Sequence, residues 1–211
     1  DDLIIHGKDD CEHDSRLLKC IKTLAKHGLT INKDKCLIRM SELEYFGHHV
    51  SGSGICPTQD RVKAVMEARP PKNSSEVRSF LGLVNFSAKF IPNLATIAEP
   101  LRKLTRSSCN FSWGSKEDQA FQMLKMSLNK AGKLAHFQRD APTEIVVDAS
   151  PVGLGAMLVQ QQAGKKHVIC YASRSLSSVE RRYSQTEREA LGIVWACERF
   201  HQYLYGIRFE I

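Results

Sequence analysis

No apolar run in this 211-residue sequence approaches the roughly 20 residues that cross a bilayer, and no secretory leader is visible. A membrane partner is therefore not expected. No CxxC pair and no Cys/His pair has zinc spacing. The seven cysteines (Cys11, Cys20, Cys36, Cys56, Cys109, Cys170 and Cys197) are scattered and odd in number. They read as reduced, mostly structural thiols of an intracellular protein. There is no P-loop pattern, no internal repeat and no low-complexity tract. An initiator Met is also missing, so the chain reads as a piece of something longer.

An apolar content of 42% and a charged content of 25% describe an ordinary globular chain, long enough for one large or two small domains. The formal charge of +7 favours an anionic partner, of which nucleic acid is the commonest.

The stretch 144–150, EIVVDAS, organises the reading. In a strand, Ile145 and Val147 point to one side, and Val146 and Asp148 to the other. A β-branched run ending on Asp148 sets one carboxylate at the mouth of a buried strand, where a divalent cation would compensate it. The same residues, Asp-Ala-Ser-Pro-Val-Gly, also read as a turn. Segments 153–160 and 166–173 read as second and third strands, and a helix is expected over 184–203. On it, Ala190, Leu191, Ile193, Val194 and Cys197 form the apolar stripe, and Glu187 lies nearer its centre than Glu189. Ser184-x-x-Glu187 also fits a capping box. Gly153 and Gly155 allow either a close backbone approach or a tight turn.

Upstream, Asp1-Asp2 runs into the apolar 3–5. Adjacent carboxylates suit a divalent ion, although a solvated terminus explains them too. A helix over 12–28 ends at Gly28, a short strand follows at 29–32, and 44–50 with 52–55 forms a hairpin. Helices are expected over 57–69, 73–90 and 115–128, with cap-like starts at Asn73-x-x-Glu76 and Ser115-x-x-Asp118. Val77, Phe80, Leu81, Val84 and Phe90 make a core stripe, and Phe111 with Trp113 a packing anchor. Arg78, Lys89, Arg102, Lys103 and Arg106 make a basic surface able to track phosphates.

Strand-Asp, two hairpin strands and helix-Glu is the opening order of the ribonuclease H fold. TEIVVDAS, GLGAMLVQ, YASRSLSSVERRYSQTEREAL and FHQYLYG resemble the ribonuclease H domain of gypsy-type LTR-retrotransposon and retroviral polyproteins. DDLIIHGKDDCEH, GLTINKDKC, YFGHHVSGSGICP, FLGLVNFSAKFIPNL and FSWGSKEDQAFQMLK resemble, in order, motifs of the reverse transcriptases of the same family. The resemblance implies an α+β fold: the end of a reverse transcriptase palm (1–57), a helical thumb with a connecting segment (58–137), and the first part of a ribonuclease H-like mixed sheet with helices (138–211). Asp1 would be a palm metal ligand and Asp2 its neighbour, and Lys35 would protonate the departing pyrophosphate. Phe46, Gly47, His48 and His49 would form the primer grip, and Arg78 and Lys89 would contact nucleic acid. Asp148 and Glu187 would bind Mg²⁺ or Mn²⁺.

The implied partners are RNA–DNA hybrid, template–primer and, in the parent enzyme, dNTP; the resemblance leaves the oligomeric state open. The implied location is the cytoplasm, within a virus-like particle, or the nucleus. The family pattern also places a first palm aspartate upstream and further ribonuclease carboxylates downstream, so the chain alone is expected to be inactive. The alternative is a truncated or domesticated element that binds nucleic acid or acts as a scaffold.

The charge generates the first prediction. Binding of the chain to RNA–DNA hybrid should weaken as salt rises, with a log–log slope of about −0.9 per phosphate neutralised, the value for B-form DNA. A fluorescence-anisotropy titration at stepped salt checks this, and a flat response counts against a nucleic-acid partner.

Overall fold

The computed structural model describes residues 2–107 and 109–211. The chain divides into two compact units, one ending at Gly52 and the other spanning Ser53–Ile211.

In the first unit, helix α1 (Asp10–Lys26) begins where the Asp9 side chain accepts the Glu12 amide at 2.8 Å. It stops at Gly28, whose φ of +74° suits the left-handed conformation that closes a helix. α1 buries no residue. The strand expected over 29–32 does not form: Asn32 instead accepts the Asp34 amide at 3.0 Å and starts a single 3-10 turn, Lys33–Lys35. A short polar side chain that bonds its own backbone competes with a sheet ladder. Strands β1 (Glu42–Tyr45) and β2 (His48–Ser51) pair antiparallel, with Glu42 opposite Ser51 and Tyr45 opposite His48. Phe46 and Gly47 join them, at φ of +47° and +68°. Two consecutive positive φ values mark the tight turn that matches strand twist, so the chain reverses in the middle of the expected 44–50 strand.

The second unit opens with β3 (Gly54–Pro57), where Ile55 exchanges two 2.8 Å backbone bonds with Leu134. Helices α2 (Gln59–Met66), α3 (Ser74–Asn85), α4 (Leu94–Ile97), α5 (Glu99–Lys103) and α6 (Ser115–Asn129) follow. Asn73 caps α3 as expected, accepting the Glu76 amide at 2.9 Å. At α6 the cap lies one residue earlier than expected: the Gly114 amide donates to Glu117 at 3.1 Å. The expected 73–90 helix ends at Asn85, and α4 and α5 lie where no helix was expected. Val77, Phe80, Val84, Leu101, Phe121, Leu124 and Leu128 form the buried helical core. Phe111 and Trp113 pack against it as the sequence suggested, with Trp113 edge-on to Phe121.

Strands β4 (Thr143–Ala149), β5 (Gly153–Gln162), β6 (Lys165–Ser175) and β7 (Phe209–Glu210) form a sheet in the order β6-β5-β4-β7. Its first three strands are antiparallel, and β7 runs parallel to β4. Helix α7 (Gln185–Arg199) crosses one face, and α8 (His201–Leu204) follows a break at the buried Phe200. The approach is close: a Cβ on Gly192 would stand 2.8 Å from Val147 Cγ1. α7 presents Leu191, Gly192, Trp195 and Ala196 to the sheet, while Ile193 and Val194 of the expected stripe are exposed. The β4–β5 register puts Ile145, Val147 and Ala149 on the α7 side with Leu158, Ala156 and Leu154. The fold is thus the expected mixed α+β arrangement.

At the end of β6, Arg174 grips Glu180 through two bonds of 2.9 Å, and the Ser177 amide adds a third of 2.7 Å. The guanidinium first, and that amide second, hold the Glu180 carboxyl down at about 2 from an ordinary 4.5. The depressed value means that this stabilisation is complete above pH 4.5 and is lost as pH falls through 2. Glu180→Gln should therefore flatten the acid limb of a urea-unfolding series over that window; an unchanged limb contradicts the assignment. In the helical core, Leu124→Ala should cost about 2–5 kcal/mol in the same assay, because the site is fully enclosed.

Candidate functional site

Asp148 is the next-to-last residue of β4 and lies opposite Gly155 on β5. Strand alternation sends it to the face away from α7, shared with Val146, Met157 and Ser173, and its side chain is exposed. The segment containing α4 and α5 covers part of that face. The Ala95 amide donates to Ser173 Oγ at 3.0 Å, the Thr96 and Ser150 hydroxyls meet at 3.0 Å, and Arg102 donates to Ser175 Oγ at 2.6 Å. Arg181, just beyond the sheet, donates to the buried Glu99 of α5 at 2.8 Å. Asn93, in the left-handed conformation, donates from Nδ2 to Asp148 Oδ2 at 3.3 Å. A Cβ on Gly155 would stand 1.9 Å from Asn93 Oδ1, and one on Gly153 3.2 Å from Thr96 Oγ1. The close approach that these glycines permit is made by the chain's own residues.

Glu187 stands at the third position of α7. Its carboxylate accepts the Ser184 amide at 2.7 Å, and its own amide donates to Ser184 Oγ at 3.3 Å, which closes the expected capping box. Those bonds, the backbone one foremost, hold the Glu187 carboxyl below its ordinary range. It is one and two helical turns ahead of Leu191 and Trp195, which pack toward the sheet. Glu189 aligns with the exposed Ile193 and accepts from Gln185 at 2.8 Å. Gln185 also donates to Ala149 O at 3.3 Å, so the start of α7 lies beside the end of β4.

No hydrogen bond or ion pair joins Asp148 to Glu187, and no group of three or more His, Cys, Asp or Glu among the described residues is placed to hold a metal. Asp148 retains an oxygen that accepts no bond among the described residues. One exposed carboxylate of this kind fits a single hydrated Mg²⁺ or Mn²⁺, which keeps several waters and takes one or two protein carboxylates. The described donors do not make a cage for a pair of ions.

Of the other expected residues, Asp1 lies outside the described residues. The Asp2 carbonyl accepts the Tyr45 hydroxyl at 3.1 Å. Lys35 is exposed in its 3-10 turn. Phe46 is 60% exposed at the hairpin tip, against the Tyr45 ring, and Gly47 completes the turn. His48 is half-buried on β2, and His49 Nε2 lies 3.3 Å from Glu42. Arg78 is exposed and donates to Thr105 O at 2.8 Å. Lys89 is half-buried over the Phe90 ring, and partial burial lowers its pKa. The sequence reading missed Asn93, Thr96 and Ser173. Pro92-Asn93 signals a turn, since Asn tolerates the left-handed region, but nothing local names a partner 55 residues away.

Residues 113–211 match the profile of the RNase H-like domain found in reverse transcriptase. Transposon Tf2-3 polyprotein of Schizosaccharomyces pombe is 32% identical over 97% of the chain, and the Tf2-7 polyprotein of the same yeast is 31% identical over the same share. The chain spans 15% of the length of each. Among solved structures, the foamy viral protease-reverse transcriptase dRH in complex with double-stranded DNA superposes with a TM-score of 0.80 at 24% identity, over 97% of this chain and 36% of that one. The foamy viral protease-reverse transcriptase in complex with RNA/DNA hybrid gives 0.79 at 24% identity, over 97% and 28%. These structures share the fold. The profile match and the yeast relatives bear out the likeness to retroelement polyproteins, and residues 113–211 carry the pattern of the RNase H-like domain found in reverse transcriptase.

Proposed function

We propose that this chain is a working part of a retrotransposon reverse transcriptase whose sheet-bearing region degrades the RNA strand of RNA–DNA hybrids. The observation that carries the reading is the exposed Asp148 carboxylate at the end of β4, within a domain of the RNase H-like family. Asp148 would hold a divalent ion, Mg²⁺ or Mn²⁺, and Glu187 at the start of α7 would contribute the second carboxylate. When bound, the ion would supply an activated water and positive charge for the departing oxygen. The amide of Asn93 holds one oxygen of Asp148, while Ser184 keeps Glu187 ionised by bonding its charged form.

The first unit and the helical region would be the end of a polymerase palm and a thumb. Asp1 and Asp2 would lie at the polymerase site and Lys35 beside the leaving pyrophosphate. The hairpin tip at Phe46–Gly47, with His48 and His49, would grip the primer. Arg78 and Lys89 would lie along the nucleic acid, and dNTP would be the polymerase substrate. The structurally similar foamy viral proteins, in complex with double-stranded DNA and with RNA/DNA hybrid, support a nucleic-acid ligand. No helix among the described residues is long and apolar enough to cross a membrane.

A second reading, binding without cleavage, is favoured by the sparse donor set around Asp148. One experiment separates the two. In the polyprotein that carries this segment, Asp148→Asn and Glu187→Gln should each lower metal-dependent cleavage of the hybrid's RNA strand by more than the roughly 10–100-fold that an outer-sphere partner costs. Hybrid binding should survive both changes. Glu187→Gln spares the helix start, because Gln also closes a capping box, and Glu189→Gln should matter less. Undiminished cleavage by both variants refutes the catalytic reading, and absence of cleavage in the parent protein favours binding alone.

A further inference from the structure

We infer that Asn93, supplied by the helical half of the unit 55 residues before Asp148, is the positioning residue for that carboxylate. This deepens the function proposed above and rests on its reading of Asp148 as a metal ligand. Three features converge on the same side chain. Asn93 holds φ +50° and ψ +30°, the left-handed region that asparagine tolerates better than most non-glycine residues. Its amide oxygen occupies the volume that any side chain at Gly155 would fill, since a Cβ there would stand 1.9 Å away. Its Nδ2 then reaches Asp148 Oδ2 at 3.3 Å.

The backbone on the far side of Asn93 is tied down as well, by the Ala95 amide on Ser173 and by Thr96 on Ser150. The donor therefore comes from a fixed frame. An exposed aspartate without a partner samples several rotamers. One held by a single oxygen presents the other in one direction, which is how outer partners tune carboxylate ligands. Asn93 acts only through Asp148, as a positioning residue that touches neither substrate nor metal. Gly155 is required because it makes room for that amide.

The competing role for Asn93 is to fasten α4 to the sheet and nothing more, and a Mn²⁺ titration of the chain separates the two. Mn²⁺ binding is followed by paramagnetic broadening of the backbone amide signals around Asp148 and Gly155. Asn93→Gly keeps the left-handed backbone at no steric cost and deletes only the amide. It should weaken Mn²⁺ binding by about 10-fold or more. Thr96→Val removes the neighbouring bond to Ser150 and should leave Mn²⁺ binding as it was. Gly155→Ala should weaken both Mn²⁺ binding and thermal stability by displacing the Asn93 amide. Adding Asn93→Gly to it should restore the stability but not the metal affinity. Unchanged or tighter Mn²⁺ binding by Asn93→Gly overturns the inference, as does an equal loss in Thr96→Val. If Asp148→Asn leaves Mn²⁺ binding intact, the metal reading of Asp148 itself fails, and that result is distinct from a failure confined to Asn93.

Discussion

Across the β4–β5 ladder Asp148 faces a glycine, and the volume above that glycine is filled by the amide of Asn93. Much of the open end of the sheet depends on this arrangement. A side chain at Gly155 would push Asn93 outward. A side chain at Gly153 would press on Thr96 and Ala95, which hold Ser150 and Ser173. The glycines are thus matched to the surface of α4. That surface brings a hydrogen-bond donor to a carboxylate which strand alternation would otherwise leave bare.

The union of helices and sheet at this place is polar, while the apolar cores lie on either side of it. One core is helical; the other lies between the sheet and α7. Serine hydroxyls at 150, 173 and 175 each meet a group from the α4–α5 segment. Bonds of this kind contribute about 0.5–1.5 kcal/mol each. Their geometric demands define one docking position, whereas an apolar seam would tolerate sliding. Glu99 adds to this. It is buried between Arg106 and Arg181, and removing either cation would leave a charge poorly compensated. Register at the mouth is therefore held by directional contacts, and bulk stability comes from the two cores.

Glu187 shows how one carboxylate can meet two demands. As the third residue of α7 it satisfies the Ser184 amide, one of the donors that every helix start leaves unpaired. The same bonds favour its ionised form. A capping role thus leaves the carboxylate charged and held at the start of α7.

Features encoded within a few residues were legible in the sequence. Alternation in 144–150 set Ile145 inward and Asp148 outward. Asn73 and Ser184 announced their helix starts, and the strand–strand–strand–helix order announced the fold. The tight turn at Phe46–Gly47 was not legible, because a bulky aromatic at positive φ runs against its local preference. The partial burial of Lys89 was not legible either, since a lysine beside Phe90 has the same local pattern whether it faces solvent or a packed ring. Tertiary structure alone decided that α4 and α5 lie on the Asp148 face, that Gly155 is a slot for Asn93, and that Glu99 pairs with Arg181 across 82 residues. Periodicity and capping are short-range properties of the backbone and can be read in a window of a few residues. A contact between distant segments exists only once both cores have packed and fixed the surfaces that meet.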